Sequence, residues 1–194
     1  MVYVVVRSLS FAVIESRLKE FPMIGNIISE SLQISLRYAE KLAEDIPPGD
    51  FGKLARVDGH PIDSNHPAFV YGHLSIYAPR IIAELGGDAS AYAIDDQWND
   101  LFSPKAKCQD DPECKFYPDK DVLVKRLING YQAAMEILRA TDDSKFAEPN
   151  PNETMRSRFE TIGGMHAFYC GGHMMIHMGQ ISAWRRMMGL GSAF

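Results

Sequence analysis

HMMIHMGQISAWRRMMGLG, residues 173–191, sets two histidines four apart in an apolar, methionine-rich run that stops at glycine. At about 100° and 1.5 Å per residue, His173 and His177 stand about 40° apart around a helix and about 6 Å apart along it. Two imidazoles so placed can reach one metal ion, but the same pair also fits a helix surface as plain polar decoration. A pair of ligands is not a site. A third must come from another helix, so the reading of this stretch depends on what the rest of the chain folds into.

Working outward, the periodicity predicts four helical segments. The last runs from about Thr161 to Met188 and stops at Gly189-Leu190-Gly191. Gly163, Gly164, Gly171 and Gly172 each lower helicity there by roughly 1 kcal/mol relative to alanine, so packing must compensate or the first turns are irregular. The first segment is MIGNIISESLQISLRYAEKLAED, residues 23–45. Ile24, Ile27, Ile28, Leu32, Ala39, Leu42 and Ala43 recur at helical steps and predict its buried face. Pro47-Pro48-Gly49 ends it. The second spans about 66–85, capped by Ser64 or Asn65, with Pro67 in the first turn. Pro79 lies inside it, removes a backbone hydrogen bond, crowds the carbonyl of Ser75 and predicts a kink one to two turns beyond His73. The third is DVLVKRLINGYQAAMEILRA, residues 121–140, with Val124, Leu127, Ile128, Tyr131, Met135 and Leu138 as its stripe.

Strand character is confined to VYVVV near the start, so the expectation is an all-α fold, a four-helix bundle. The connection at 86–120 is by far the longest. A connection of that length can cross the whole bundle and leave the second and third helices parallel. It is acidic and aromatic, with Trp98, Phe102, Phe116 and Tyr117, and reads as a lid or as a layer packed over the helices. Residues 1–20 read as an N-terminal extension, frayed or strand-like, and 21–194 as one domain.

The chain of 194 residues holds one full-sized core. Its net charge of −5 argues against broad nucleic-acid binding, which needs a cationic surface. The opening apolar run is six residues and ends at Arg7, a poor signal peptide, and nothing approaches the roughly 20 apolar residues of a membrane span. Three cysteines, Cys108, Cys114 and Cys170, form no disulfide framework. Free thiols and a cytoplasmic location are the expectation.

Among the six histidines, His73 in VYGHLSIY is the best third ligand: it falls within a helix, among small and apolar neighbours. His66 and His166 each lie seven residues before a proposed ligand, on the same face but about 10 Å away, and read as pocket-wall or helix-start residues. His60, in VDGHPID, reads as solvated. Metal proteases with this spacing need Glu after the first histidine, where Met174 stands here. Di-iron bundles need Glu-x-x-His pairs on two helices, which are missing. Three histidines with an open position suit Zn²⁺, Ni²⁺ or Fe²⁺.

Gly72-His73-Leu74, His173-x-x-x-His177-x-Gly179-Gln180-Ile181, Arg185-Arg186 and Gly189-Leu190 together resemble the DinB-like (DinB/YfiT) superfamily of metal-dependent four-helix-bundle proteins. The resemblance covers roughly residues 23–190 and is strongest in the last 30. It implies an up-down-down-up bundle, with a long crossover between helices two and three. It also implies a divalent metal on His73, His173 and His177. The N-terminal twenty residues and the length of the 86–120 connection depart from a minimal family member.

Such a site supports two chemistries: activating water for hydrolysis, or activating the thiol of a low-molecular-weight cofactor that attacks an electrophile. The resemblance favours the second, a thiol-dependent S-transferase acting on a small-molecule substrate. No general base stands out. Gln180 is placed to orient a ligand or a histidine, Tyr77 reads as a core tyrosine or as pocket lining, and His166 as pocket wall. Arg185 and Arg186 read either as anion binders or as solvated charges that complement the helix dipole. Met174, Met175, Met178, Met187 and Met188 read as core filler. The competing class is a non-catalytic, dimeric bundle whose metal is structural or absent. Cys170, three residues before His173, would then close the coordination sphere. A homodimer is implied only by family habit.

Overall fold

The computed structural model describes residues 23–193, and the expectations for the N-terminal extension and its VYVVV run lie outside them. The fold is mostly helical. Helix α1 spans Ile24–Ala43 and is followed by a short turn at Pro48–Asp50. A two-residue hairpin, β1 (Arg56–Val57) and β2 (His60–Pro61), comes next. Helices α2 (Pro67–Ser75) and α3 (Tyr77–Glu84) follow, then α4 (Asp96–Phe102) and α5 (Lys120–Ala140). A four-residue α6 (Asp143–Phe146) leads on to α7 (Ile162–Ala167), a π turn (Phe168–Gly172) and α8 (His173–Met187).

The four helical stretches expected from the sequence are present, with differences that have local causes. The buried face of α1 is Gly25, Ile28, Ser29, Leu32, Ser35, Leu36, Ala39, Leu42 and Ala43. Ile24 and Ile27, expected inside, are 40% and 55% exposed. The stripe is therefore rotated towards Gly25 and Ser29, because a close helix–helix approach selects small residues. A Cβ on Gly25 would lie 1.9 Å from the carbonyl oxygen of Leu138 on α5. On α5, Leu123 is buried and Val124 only partly so.

The second helix breaks at Ile76, separating α2 from α3. Pro79 cannot donate to the carbonyl of Ser75, and the break lies beside that carbonyl. It comes three residues after His73, sooner than the expected kink. The cap is neither Ser64 nor Asn65 but His66, whose Nδ1 accepts the Phe69 N–H at 3.2 Å. The hairpin, unexpected from the sequence, turns on Asp58 (φ 51°) and Gly59 (φ 79°). Asp-Gly is a strong hairpin signal, since both residues tolerate positive φ. The glycine-rich start of the last helix is irregular, as its composition allowed: five residues form a π turn, which adds about one residue to the regular spacing.

Helix α5 packs against α1, α2 and α3, and α8 packs against α1 and α2. The long connection is not structureless. It carries α4, and Phe102 is fully buried on α2. A Cβ on Gly72 would lie 2.1 Å from the Phe102 ring, so glycine is what lets the ring sit there. Trp98 Nε1 donates to Ser75 Oγ at 3.1 Å, and Asp111 accepts backbone N–H groups of Lys115, Phe116 and Tyr117 at 2.8, 2.9 and 3.1 Å.

At the far end, α8 is tied down by its last turns. Trp184 is buried and donates to the Lys53 carbonyl at 2.8 Å. Arg185 is neither a solvated dipole partner nor free to bind an anion. It is 1% exposed, with both terminal nitrogens on the Asp45 carboxylate and Nη1 also on the Leu42 carbonyl at 2.9 Å. Arg186 stays exposed and bonds Ser182. Met174 and Met178 are core, whereas Met175 and Met187 are exposed. No helix among the described residues is long and apolar enough to cross a membrane.

Candidate metal centre

Three side chains singled out in the sequence come together. His73 from the last turn of α2 meets His173 and His177 from the first two turns of α8. One ring nitrogen from each lies within 4.8 Å of the others. His73 is buried; His173 and His177 are half-buried and reach the surface. The ring centroids of His73 stand 5.3 Å from His173 and 4.9 Å from His177.

The neighbours fix which nitrogens face inward. The Phe102 carbonyl stands 2.8 Å from His73 Nδ1. A carbonyl only accepts, so Nδ1 carries the proton and Nε2 offers its lone pair. Gln180 Oε1 stands 2.9 Å from His177 Nδ1 and also accepts from Asn65 Nδ2 at 3.1 Å. That amide oxygen likewise leaves His177 Nε2 as the lone-pair nitrogen. His177 Nε2 and His173 Nε2 face each other at 3.1 Å. Two imidazole nitrogens on a tetrahedral ion at 2.0–2.1 Å would be about 3.3 Å apart, so this pair already has the spacing of two ligands. The full group spans up to 4.8 Å, so the three rings must draw closer around an ion. His173 has no such support: its buried Nδ1 has no hydrogen-bond partner.

Electrostatics favours neutral rings. Burial pushes His73 down to about 4, against the opposing Phe102 carbonyl, with His177 adding a smaller push. Burial, then His177 and His73, push His173 down to about 3. Burial lowers His177 as well, opposed by Gln180. Neutral imidazole is the metal-binding form. Donor type, spacing and protonation therefore fit a divalent ion.

Tyr77 is buried in the core and also lines the site, its hydroxyl 3.5 Å from His73 Nε2 and its ring 4.6 Å from His173. Burial pushes its hydroxyl up to about 12, so it is a neutral donor. His166, expected to line the pocket, is fully buried, and its Nε2 bonds Glu84 Oε2 at 2.8 Å. Cys170 is buried and does not belong to the histidine group, so the ligand that the competing structural reading would need is not among them. Burial pushes its thiol far above the usual range. His66 is the helix-start residue expected, with Nε2 donating to the Gln109 carbonyl at 2.8 Å, and His60 is exposed. Cys108 and Cys114 are free thiols.

Sequence reasoning missed the Phe102 carbonyl, the Asn65 contact to Gln180, and Phe168. A main-chain acceptor carries no residue signal. Phe168, whose ring lies 5.3 Å from His173, carries no sequence signal that sets it apart from other aromatic residues.

No family model, curated protein or solved structure matches the chain. The functional reading rests on the site itself.

Proposed function

We propose that this chain is a metal-dependent enzyme of the DinB-like type, an up-down-down-up four-helix bundle acting on a small molecule as a thiol-dependent S-transferase or a hydrolase. One observation carries the reading: His73, His173 and His177 converge, two of them with Nδ1 engaged so that Nε2 points inward. No fourth His, Cys, Asp or Glu joins the group among the described residues, which favours an open catalytic site over a closed structural one.

A divalent ion held there supplies Lewis acidity, lowering the pKa of a coordinated thiol or water. The protein's part is to hold the ligands and shape the surroundings. The Phe102 carbonyl and Gln180 keep two rings in the ligating tautomer and orientation. The Tyr77 hydroxyl is within reach of whatever occupies the position beside His73 and donates a hydrogen bond to it. Phe168, Tyr169 and Tyr77 surround His173 with aromatic rings that limit water.

Elemental analysis after reconstitution, followed by a screen of electrophiles with several thiols, tests the reading. About one metal per chain is expected, lost in His73→Ala and His173→Ala. Metal-dependent conjugation or hydrolysis is expected in the screen. An unchanged metal content in His73→Ala removes the site. A metal without either activity favours the non-catalytic class.

A further inference from the structure

Beyond the histidines, α3 and the segment from α7 into α8 face each other along a polar seam. Tyr77, Arg80 and Glu84 on α3 meet His173, Tyr169 and His166. Arg80 is the unusual member. Its Nη1 donates to the Tyr169 hydroxyl at 3.1 Å, and its guanidinium carbon lies 5.6 Å from the Tyr77 ring centre and 6.0 Å from that of Tyr169. The cation is held in place by neutral groups.

The expected neutralising partner is four residues on, since Arg and Glu at that spacing commonly pair. Here Glu84 is taken by the buried His166. No carboxylate lies within ion-pair distance of Arg80 among the described residues. Arg185, by contrast, has both terminal nitrogens on the Asp45 carboxylate. Arg80 is thus a fixed, exposed guanidinium with no carboxylate in direct contact, reached by the Glu84 charge only at longer range, on a chain of net charge −5. Through Tyr77, whose ring lies 4.6 Å from that of His173, the Arg80 guanidinium is within about 10 Å of the His173 ring, a span of about eight bonds in an extended molecule. A planar guanidinium fixed this way matches a carboxylate better than a neutral group.

We propose that Arg80 is the specificity-determining residue of the three-histidine site, and that the molecule taken there carries a carboxylate which Arg80 binds. The proposal rests on the metal-centre reading above. The carboxylate belongs either to the thiol or to the substrate, and the probes separate the two.

The test uses the full chain loaded with cobalt(II), followed by its absorption spectrum rather than by turnover. One series compares ω-mercaptocarboxylates with ω-mercaptoalkanols of equal length. A second compares dicarboxylic monohydroxamates with plain alkyl hydroxamates. In at least one series the carboxylate member binds about tenfold tighter or more, the expectation for an added charge-assisted hydrogen bond. Arg80→Gln removes that preference, leaves the neutral probes and the cobalt content unchanged, and retains the fold because Arg80 is exposed. Tyr169→Phe reduces the preference partially. A preference in the mercapto series places the carboxylate on the thiol; one in the hydroxamate series places it on the substrate. Equal binding of charged and neutral probes, or a preference that survives Arg80→Gln, overturns the proposal. Bound cobalt that no probe perturbs also overturns it. Failure to retain cobalt at all instead marks failure of the metal reading.

Discussion

Gln180 is a positioning residue, because its amide oxygen holds His177 Nδ1. Gln180→Leu keeps the size and removes the acceptor. Loss of such an outer partner typically costs 10–100-fold in metal affinity, and that drop is expected in a competition titration with a chelator. Gln180→Glu, which keeps the acceptor, is expected to restore most of the affinity. Gly72 acts through space. Gly72→Ala drives a methyl group into the Phe102 ring, and overpacking of this kind costs about 1–3 kcal/mol in urea unfolding. It also disturbs the carbonyl that orients His73, so metal affinity falls with stability. The histidines were legible because a spacing of four is local and helical geometry is regular. Arg80 was not, because its meaning depends on Glu84 being occupied by a histidine 82 residues away.

The element that most changes the reading of the sequence is the 86–120 connection. Its length predicted a crossing or a lid; in the structure it is an ordered layer built on α4 and on the turn around Asp111. Asp111 accepts three backbone N–H groups, which outweigh the effect of burial and hold its carboxyl below the usual range. Asp111→Ala leaves those donors unsatisfied, at about 1–3 kcal/mol in thermal or urea unfolding. Because Gln109 and Tyr117 contact His66, hydrogen exchange should quicken at the start of α2 as well as in the loop. If protection changes only at 111–117, the connection does not brace α2. The helical stretches themselves were legible from apolar periodicity. Ile24 and Ile27 were misplaced because periodicity counts apolar side chains, while α1 meets α5 through a glycine. The break at Ile76 was legible in Pro79, whose missing donor is a property of the residue alone.

Across the whole molecule, buried neutral histidines couple folding to pH. His66, His73, His173 and His177 are all lowered by burial, His73 to about 4 and His173 to about 3. Their unfolded values lie near 6.5, so the unfolded chain takes up protons first as pH falls. The stability they contribute is fully present above about pH 6.5 and declines as pH drops towards 4 and 3. Urea midpoints of the metal-free protein should fall over that window, and the His66→Gln variant should show a shallower slope. Saturating metal at neutral pH should raise the melting temperature in proportion to the logarithm of its free concentration, and not in His173→Ala.

The anchors of α8 have a consequence for how the protein comes into being. Trp184 and Arg185, which fasten this helix to Lys53, Leu42 and Asp45, follow both of its histidines in the chain. A growing polypeptide therefore presents His73 long before its two companions, and the hydrogen bonds and ion pair that fasten the end of their helix come from residues made later still. The three-histidine group is therefore complete only at the end of synthesis, once the last helix has docked. A chain cut after Ala183 would keep all three histidines and Gln180, yet lose the Trp184 and Arg185 anchors at the end of the helix that carries two of them.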